Sequence, residues 1–168
     1  MHLDVDTEGW PAGEWEDLAG RAATAAANIA PELAHPSLIA SLLFTSDAEV
    51  RTLNREWRER DKPTNVLSFP MLERVDLVHL DPDENAQGNP PVMLGDIAIA
   101  HETCAREAGE KDISLEHHTA HLIVHGLLHL AGYDHAISDA EAEAMEEMEV
   151  KVLALMGIAD PYTALQSD

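Results

Sequence analysis

Apolar and polar positions along the chain change period repeatedly, and the changes lay out its elements. Residues 2–6 alternate weakly and predict a short strand. Residues 11–29 are alanine-rich and predict a helix, with Pro11 suited to an early helical position and Pro31 ending the run. Residues 37–45 (SLIASLLFT) form an apolar stretch bounded by turn signals, which predicts a buried strand. Ser46-Asp47-Ala48-Glu49 is a capping-box pattern that opens a helix to about Arg58, with Val50, Leu53 and Trp57 on one face. Residues 65–70 read as a strand, and 94–100 (LGDIAIA) alternate as another. Between them, 73–91 carry DPDENAQGNPP and predict a long acidic loop, more in keeping with a tolerated insertion than with a lid. Residues 101–108 predict a helix ending at Gly109. Ser114 caps a helix through Leu130, with Gly132 where helices often stop. Ser138-Asp139-Ala140-Glu141 repeats the capping box and starts a last helix to about Met156, followed by Gly157.

Roughly four strands and four or five helices result. They predict one domain over 1–168, in the α/β class of α+β type, with a small sheet packed on helices and the histidine-rich helix buried. The length suits one core, and 45% hydrophobic residues suffice to fill it. Cys104 is the lone cysteine, so no intrachain disulfide forms, in keeping with a reducing cytoplasm. The acidic start is unlike a signal peptide, and no apolar stretch approaches the ~20 residues needed to span a bilayer. No membrane association is expected.

Charge complicates this picture. A net charge of −22 argues against broad adhesion to nucleic acid. Yet Arg51, Arg55, Arg58, Arg60 and Lys62 crowd one short stretch, interleaved with Glu56, Glu59 and Asp61. This is either a solvated helix face or a local anion-binding surface.

Seven of the ten histidines lie between 101 and 135. The informative stretch is HGLLHLAGYDH, residues 125–135. His125 and His129 are four apart and share one helical face. That spacing lets two imidazoles reach one ion at Zn–N distances of about 2.0–2.1 Å. Gly132 permits a tight exit, after which His135 can return as a third ligand. Three imidazoles leave a fourth position for water, the pattern of a catalytic zinc site. One Zn2+ per chain on His125, His129 and His135 is therefore expected. The spacing matches the metzincin protease pattern H-E-x-x-H-x-x-G-x-x-H, but Gly126 stands where that pattern has its glutamate base. A peptidase of the usual mechanism does not fit. His121 extends the ladder upstream, either behind a metal ligand or as a buried, hydrogen-bonded histidine.

HGLLHLAGYDH closely resembles the signature of the YbeY family of bacterial metal-dependent endoribonucleases. DKPTNVLSFP (61–70), LGDIAIA (94–100) and DPY (160–162) resemble further segments of that family, in the same order. The likeness runs from about residue 50 onward; the first fifty residues and the acidic loop carry little of it. The resemblance implies a compact domain with a mixed four-stranded sheet and the three histidines as zinc ligands. Arg58 matches a functionally important arginine of the family. It also implies single-strand-directed hydrolysis of RNA phosphodiesters, in 3′-end maturation of 16S ribosomal RNA and in ribosome quality control. Ribosomal RNA, ribosomal proteins and assembly GTPases are the expected partners, in the cytoplasm.

A guanidinium and a metal can share the charge that a phosphodiester gains in its transition state, so Arg58 and His125 are the catalytic candidates. Arg51 and Arg55 share a face with Arg58 and, with Lys62, offer an RNA track. Asp134 and Asp96 are candidates for orienting a histidine or a water, although each also suits an ordinary turn carboxylate. Two alternatives stand beside the nuclease. One is a metallohydrolase of other substrate, including an atypical peptidase that pairs a peptide with the strand at 65–70. The other is a non-enzymatic ribosome-assembly factor with a structural metal.

Overall fold

The computed structural model describes residues 1–80, 91–133 and 138–162. In chain order the elements are β1 (His2–Thr7), α1 (Trp15–Ile29), a 3-10 turn (Pro31–Ala34), β2 (Leu38–Thr45), α2 (Asp47–Arg58), β3 (Val66–Pro70), α3 (Arg74–Val78), β4 (Val92–Ala100), α4 (His101–Lys111), α5 (Leu115–Leu130) and α6 (Asp139–Leu155). The four strands form one mixed sheet in the order β1-β2-β4-β3. β1 and β2 run parallel, as do β2 and β4, whereas β3 is antiparallel to β4 at one edge. The expected α+β architecture is present.

The sheet has two unequal faces, and strand alternation assigns each side chain to one of them. Leu38, Ala40, Leu42 and Phe44 of β2, with Ile97 and Ile99 of β4, pack into the main core beneath α1, α5 and α6. The opposite face carries a smaller cluster in which Val50 of α2 meets Leu67, Ala98 and Ala100. Helix α5 is buried along most of its length, from His118 through Val124 and again at Gly126, Leu127, Leu128 and Leu130. An almost wholly buried helix needs little amphipathicity, which is why its histidines stand among leucines.

Ser46, Ser114 and Ser138 each accept a hydrogen bond from the backbone N–H three residues on, as N-caps should. The predicted exit from α5 is a Schellman closure: Gly132 N–H donates to the His129 carbonyl, and Tyr133 N–H to the Leu128 carbonyl. Gly132 has φ +99°, and a Cβ there would lie 2.6 Å from the Cβ of Arg74. Glycine is thus required on both conformational and steric grounds.

Three expectations are corrected. Helix α1 starts at Trp15, because residues 11–14 form a turn that the Trp15 indole closes by donating to the Pro11 carbonyl at 2.8 Å. Helix α4 continues through Gly109 to Lys111 and stops at Asp112, which takes the left-handed conformation. One glycine costs a helix only about 1 kcal/mol, too little to end it there. The segment 73–91 is not wholly loop, since its start forms α3, with Leu77 buried and Arg74 bonded to the Ala131 carbonyl and Glu32. That makes six helices among the described residues rather than four or five; 81–90 lie outside them. Trp57 shares a helical face with Val50 and Leu53 as expected, and its side chain is 71% exposed over a groove that it lines with Leu43, Phe69 and Asp96.

Candidate metal and phosphodiester site

His125 and His129 lie one turn apart on α5, and each ring is gripped at Nδ1 from a different neighbouring element. On α6, Glu149 places Oε2 3.3 Å from His125 Nδ1. On β3, the Ser68 hydroxyl lies 3.0 Å from His129 Nδ1. Engaging Nδ1 fixes the orientation of an imidazole and selects the tautomer that coordinates through Nε2, the usual support for a histidine ligand. These two rings are therefore suited to hold a divalent metal. His135 and Asp134, expected as third ligand and orienting carboxylate, lie outside the described residues. Among the described residues no three His, Cys, Asp or Glu side chains gather as a metal-binding group.

Glu149 is the unexpected member. Its side chain is 1% exposed, and Oε1 is held by His121 Nε2 at 2.6 Å and by the Tyr162 hydroxyl at 2.8 Å. Burial by itself would raise this carboxyl. Hydrogen bonds and charge from His121 and His125 overcome that and hold it down at about 2. Tyr162 is pushed up, first by burial and then by the adjacent carboxylate. His121 thus stands behind His125, joined to it through Glu149.

Arg58, the last residue of α2, reaches the same region from the other face of the sheet. The ladder bonds from Ala100 N–H to the Asn65 carbonyl and from Met71 N–H to the Leu94 carbonyl put odd-numbered β3 residues in hydrogen-bonded pairs. The Ser68 carbonyl therefore points outward from the sheet edge, and Arg58 Nη2 donates to it. The guanidinium carbon also lies 5.2 Å from the centre of the Phe69 ring. One residue, Ser68, thereby touches both His129 and Arg58. A cleft of about 570 Å³ opens beside them between 70–74 and 129–133.

The remaining candidates fall elsewhere. Arg51 and Arg55 converge on Asp61 at 2.8 and 4.0 Å, all three exposed. The anion on Asp61 offsets part of the expected RNA track. Asn54 donates to the Lys62 carbonyl at 2.8 Å, fixing the backbone there rather than its ammonium. Asp96 shares the sheet face of Ala98, lining a groove with Trp57 and Phe69, whereas α5 lies against Ile97 on the reverse side. It lies across the sheet from His125 and His129. Gly126 packs against that same Ile97: a Cβ would come within 2.9 Å of Ile97 Cδ1. The helix backbone thus passes close to the sheet at the position where the protease pattern has its glutamate.

Comparison with known proteins gives the chain's family. Residues 8–157 match the family model described as Endoribonuclease YbeY. The chain belongs to the YbeY family. A protein named Endoribonuclease YbeY from Erythrobacter litoralis is 63% identical over 162 residues, covering 96% of this chain and 98% of that one. Its counterpart in Novosphingobium aromaticivorans is 57% identical over 162 residues, covering 96% and 95%. The solution structure of TM1509 from Thermotoga maritima superposes with a TM-score of 0.56 at 22% identity, over 99% of this chain and 97% of that one, which shows a shared fold. Among the described residues no helix is long and apolar enough to cross a membrane.

Ser68 and Glu149 escaped sequence reasoning, although both left signals. Ser68 lies between Leu67 and Phe69 in a strand, so it must face away from them. Glu149 occupies the buried face that Met145, Val152 and Leu153 define on α6. A carboxylate at a core position asks for a partner.

Proposed function

We propose that this protein is a zinc-dependent, single-strand-specific endoribonuclease that hydrolyses RNA phosphodiesters. It acts in 16S ribosomal RNA 3′-end maturation and ribosome quality control, in the cytoplasm, alongside ribosomal proteins or assembly GTPases. The carrying observation is the convergence on Ser68. Its hydroxyl supports His129, and its carbonyl anchors Arg58, so a ligand-bearing histidine and a guanidinium are set by the same strand residue. Membership of a family named for endoribonuclease activity supports the substrate class.

His125, His129 and His135 would hold one Zn2+ per chain. When bound, such an ion supplies Lewis-acid polarisation of a phosphoryl oxygen and lowers the pKa of water. Ser68 and Glu149 hold the two described rings in place. Arg58 has five N–H donors, and its bond to Ser68 uses only part of them, leaving donors for a non-bridging phosphate oxygen. Fixed donors of this kind stabilise charge that grows in the transition state without reorganising. Asp61 confines Arg51 and Arg55 to a supporting part in binding the RNA backbone.

Two observations weigh against a peptidase. Residue 126 is glycine, set close against Ile97, and carries no carboxylate to serve as the general base of that mechanism. Arg58 occupies an outward carbonyl of β3 that an added peptide strand would need. The test is metal analysis of purified protein, followed by incubation with ribosomal RNA precursor and with denatured protein. About one zinc per chain and cleavage of the RNA alone are expected. Absence of metal, or cleavage of the protein alone, would overturn the assignment.

A further inference from the structure

The DPY segment near the C-terminus takes no part in the function above, yet the structure ties it to the histidine cluster. Tyr162 N–H donates to Asp160 Oδ1 at 2.8 Å, a local turn that holds the tyrosine over α6. Its hydroxyl donates to Glu149 Oε1 at 2.8 Å and lies 3.2 Å from His121 Nε2. The His121 and Tyr162 rings meet edge to face, with centroids 5.5 Å apart. Glu149 is on α6 and His121 on α5, so three separate parts of the chain close on one carboxylate oxygen.

The consequence lies at the other oxygen. A carboxylate is planar, so two donors on Oε1 set the direction of Oε2, and Oε2 faces His125 Nδ1. The hydrogen bonds also indicate where the proton on His121 sits. His121 Nδ1 is buried and has no hydrogen-bond partner among the described residues. A proton there would be a buried, unsatisfied donor, so Nε2 is the ring nitrogen that donates, to Glu149 Oε1. His121 and Tyr162 together hold Oε1 and leave Oε2 directed at His125.

We infer that His121 and Tyr162 are positioning residues that set the metal affinity of His125 by aiming Glu149 at its Nδ1. Neither touches a ligand nitrogen of the candidate site directly. The inference rests on the zinc reading above. It adds that a residue from the DPY segment, remote in sequence from the histidines, contributes to the same centre. Outer partners of metal-bound histidines typically change affinity by about 10- to 100-fold when removed, and a partner one step further out should change it by less.

The test measures zinc affinity by competition with a chromogenic chelator on the full chain, alongside thermal melting of the chelated protein. Glu149→Gln should weaken zinc binding roughly tenfold or more. Tyr162→Phe removes one hydroxyl and keeps the ring, so it should fold like the wild type and weaken zinc binding about two- to fivefold, as an outer contributor. Removing Tyr162 in the Glu149→Gln background should add less than it does alone, because both act through one carboxylate. Wild-type zinc affinity in Tyr162→Phe, whatever its melting temperature and whatever Glu149→Gln does, would overturn the inference and leave the zinc reading intact. A wild type that takes up no zinc would overturn both.

Discussion

The two faces of the sheet are built on opposite terms. On the α5 face, buried and half-buried polar side chains meet partners from neighbouring elements: His125 with Glu149, His129 with Ser68, and His118 with Glu107 at 2.9 Å. On the α2 face, an apolar groove of about 500 Å³ remains open, lined by Trp57, Leu53, Leu43, Phe69, Met71 and Asp96. Its arginines stand in solvent, two of them sharing Asp61. The lesson is that histidine chemistry requires enclosure, because a ring must be held against rotation to present one nitrogen. Phosphate contacts do not, since a guanidinium on an exposed helix end can reach a polyanion at the surface. β3 joins the two faces, with Ser68 turned one way and Phe69 the other.

Breaking the enclosed face should have the largest effect. His129→Ala should abolish zinc retention and RNA cleavage together, read by metal analysis and by gel; retained zinc would show that the ring is no ligand. Arg58→Ala should leave the metal in place and lower kcat about a hundredfold, the typical cost of one transition-state donor. Arg58→Lys should recover little, since a single ammonium cannot bridge the Ser68 carbonyl and a phosphate in the same geometry. Equal rates for wild type and Arg58→Ala would confine Arg58 to the sheet edge.

Smaller changes sharpen the contrast. Gly126→Ala should destabilise by about 1–3 kcal/mol through the collision with Ile97, measured by chemical denaturation. Ile97→Val should restore part of that loss. For pH, the Glu149 carboxyl is lower in the folded protein than the ordinary 4.5, so its contribution to stability is fully present above that value and lost as pH falls towards about 2. Stability of the chelated protein should fall in that acid range, and Glu149→Gln should flatten the decline. On the open face, Trp57→Ser should shift stability by less than about 0.5 kcal/mol, because the side chain is mostly in solvent already. A larger loss would mean the groove is part of the core.

Several features of the site were legible before any coordinates. The i, i+4 histidines, the Schellman glycine at 132 and the three serine caps all depend on neighbours within one helical turn, and each appears as expected. The alternating strands were equally plain, since burial on one face imposes a period of two. What local pattern left open has the same character in reverse. Asp96 stood open between an orienting carboxylate and an ordinary one, and alternation along β4 places it on the face of Ala98. Helix periodicity put Trp57 on one face with Val50 and Leu53 without saying how much of it the sheet would cover.

The amino-acid sequence by itself determined the i, i+4 spacing of His125 and His129, the strand and helix order, and the lack of a glutamate at 126. These are matters of residue type and local period, which a linear chain carries explicitly. Only the tertiary structure decided which partner grips each histidine, which face Asp96 occupies, and that Arg58 shares Ser68 with His129. Those contacts join α5 to α6 and to β3, and α2 to β3. They arise when separate elements bury their apolar faces together, and no local pattern specifies the polar atoms that will meet there.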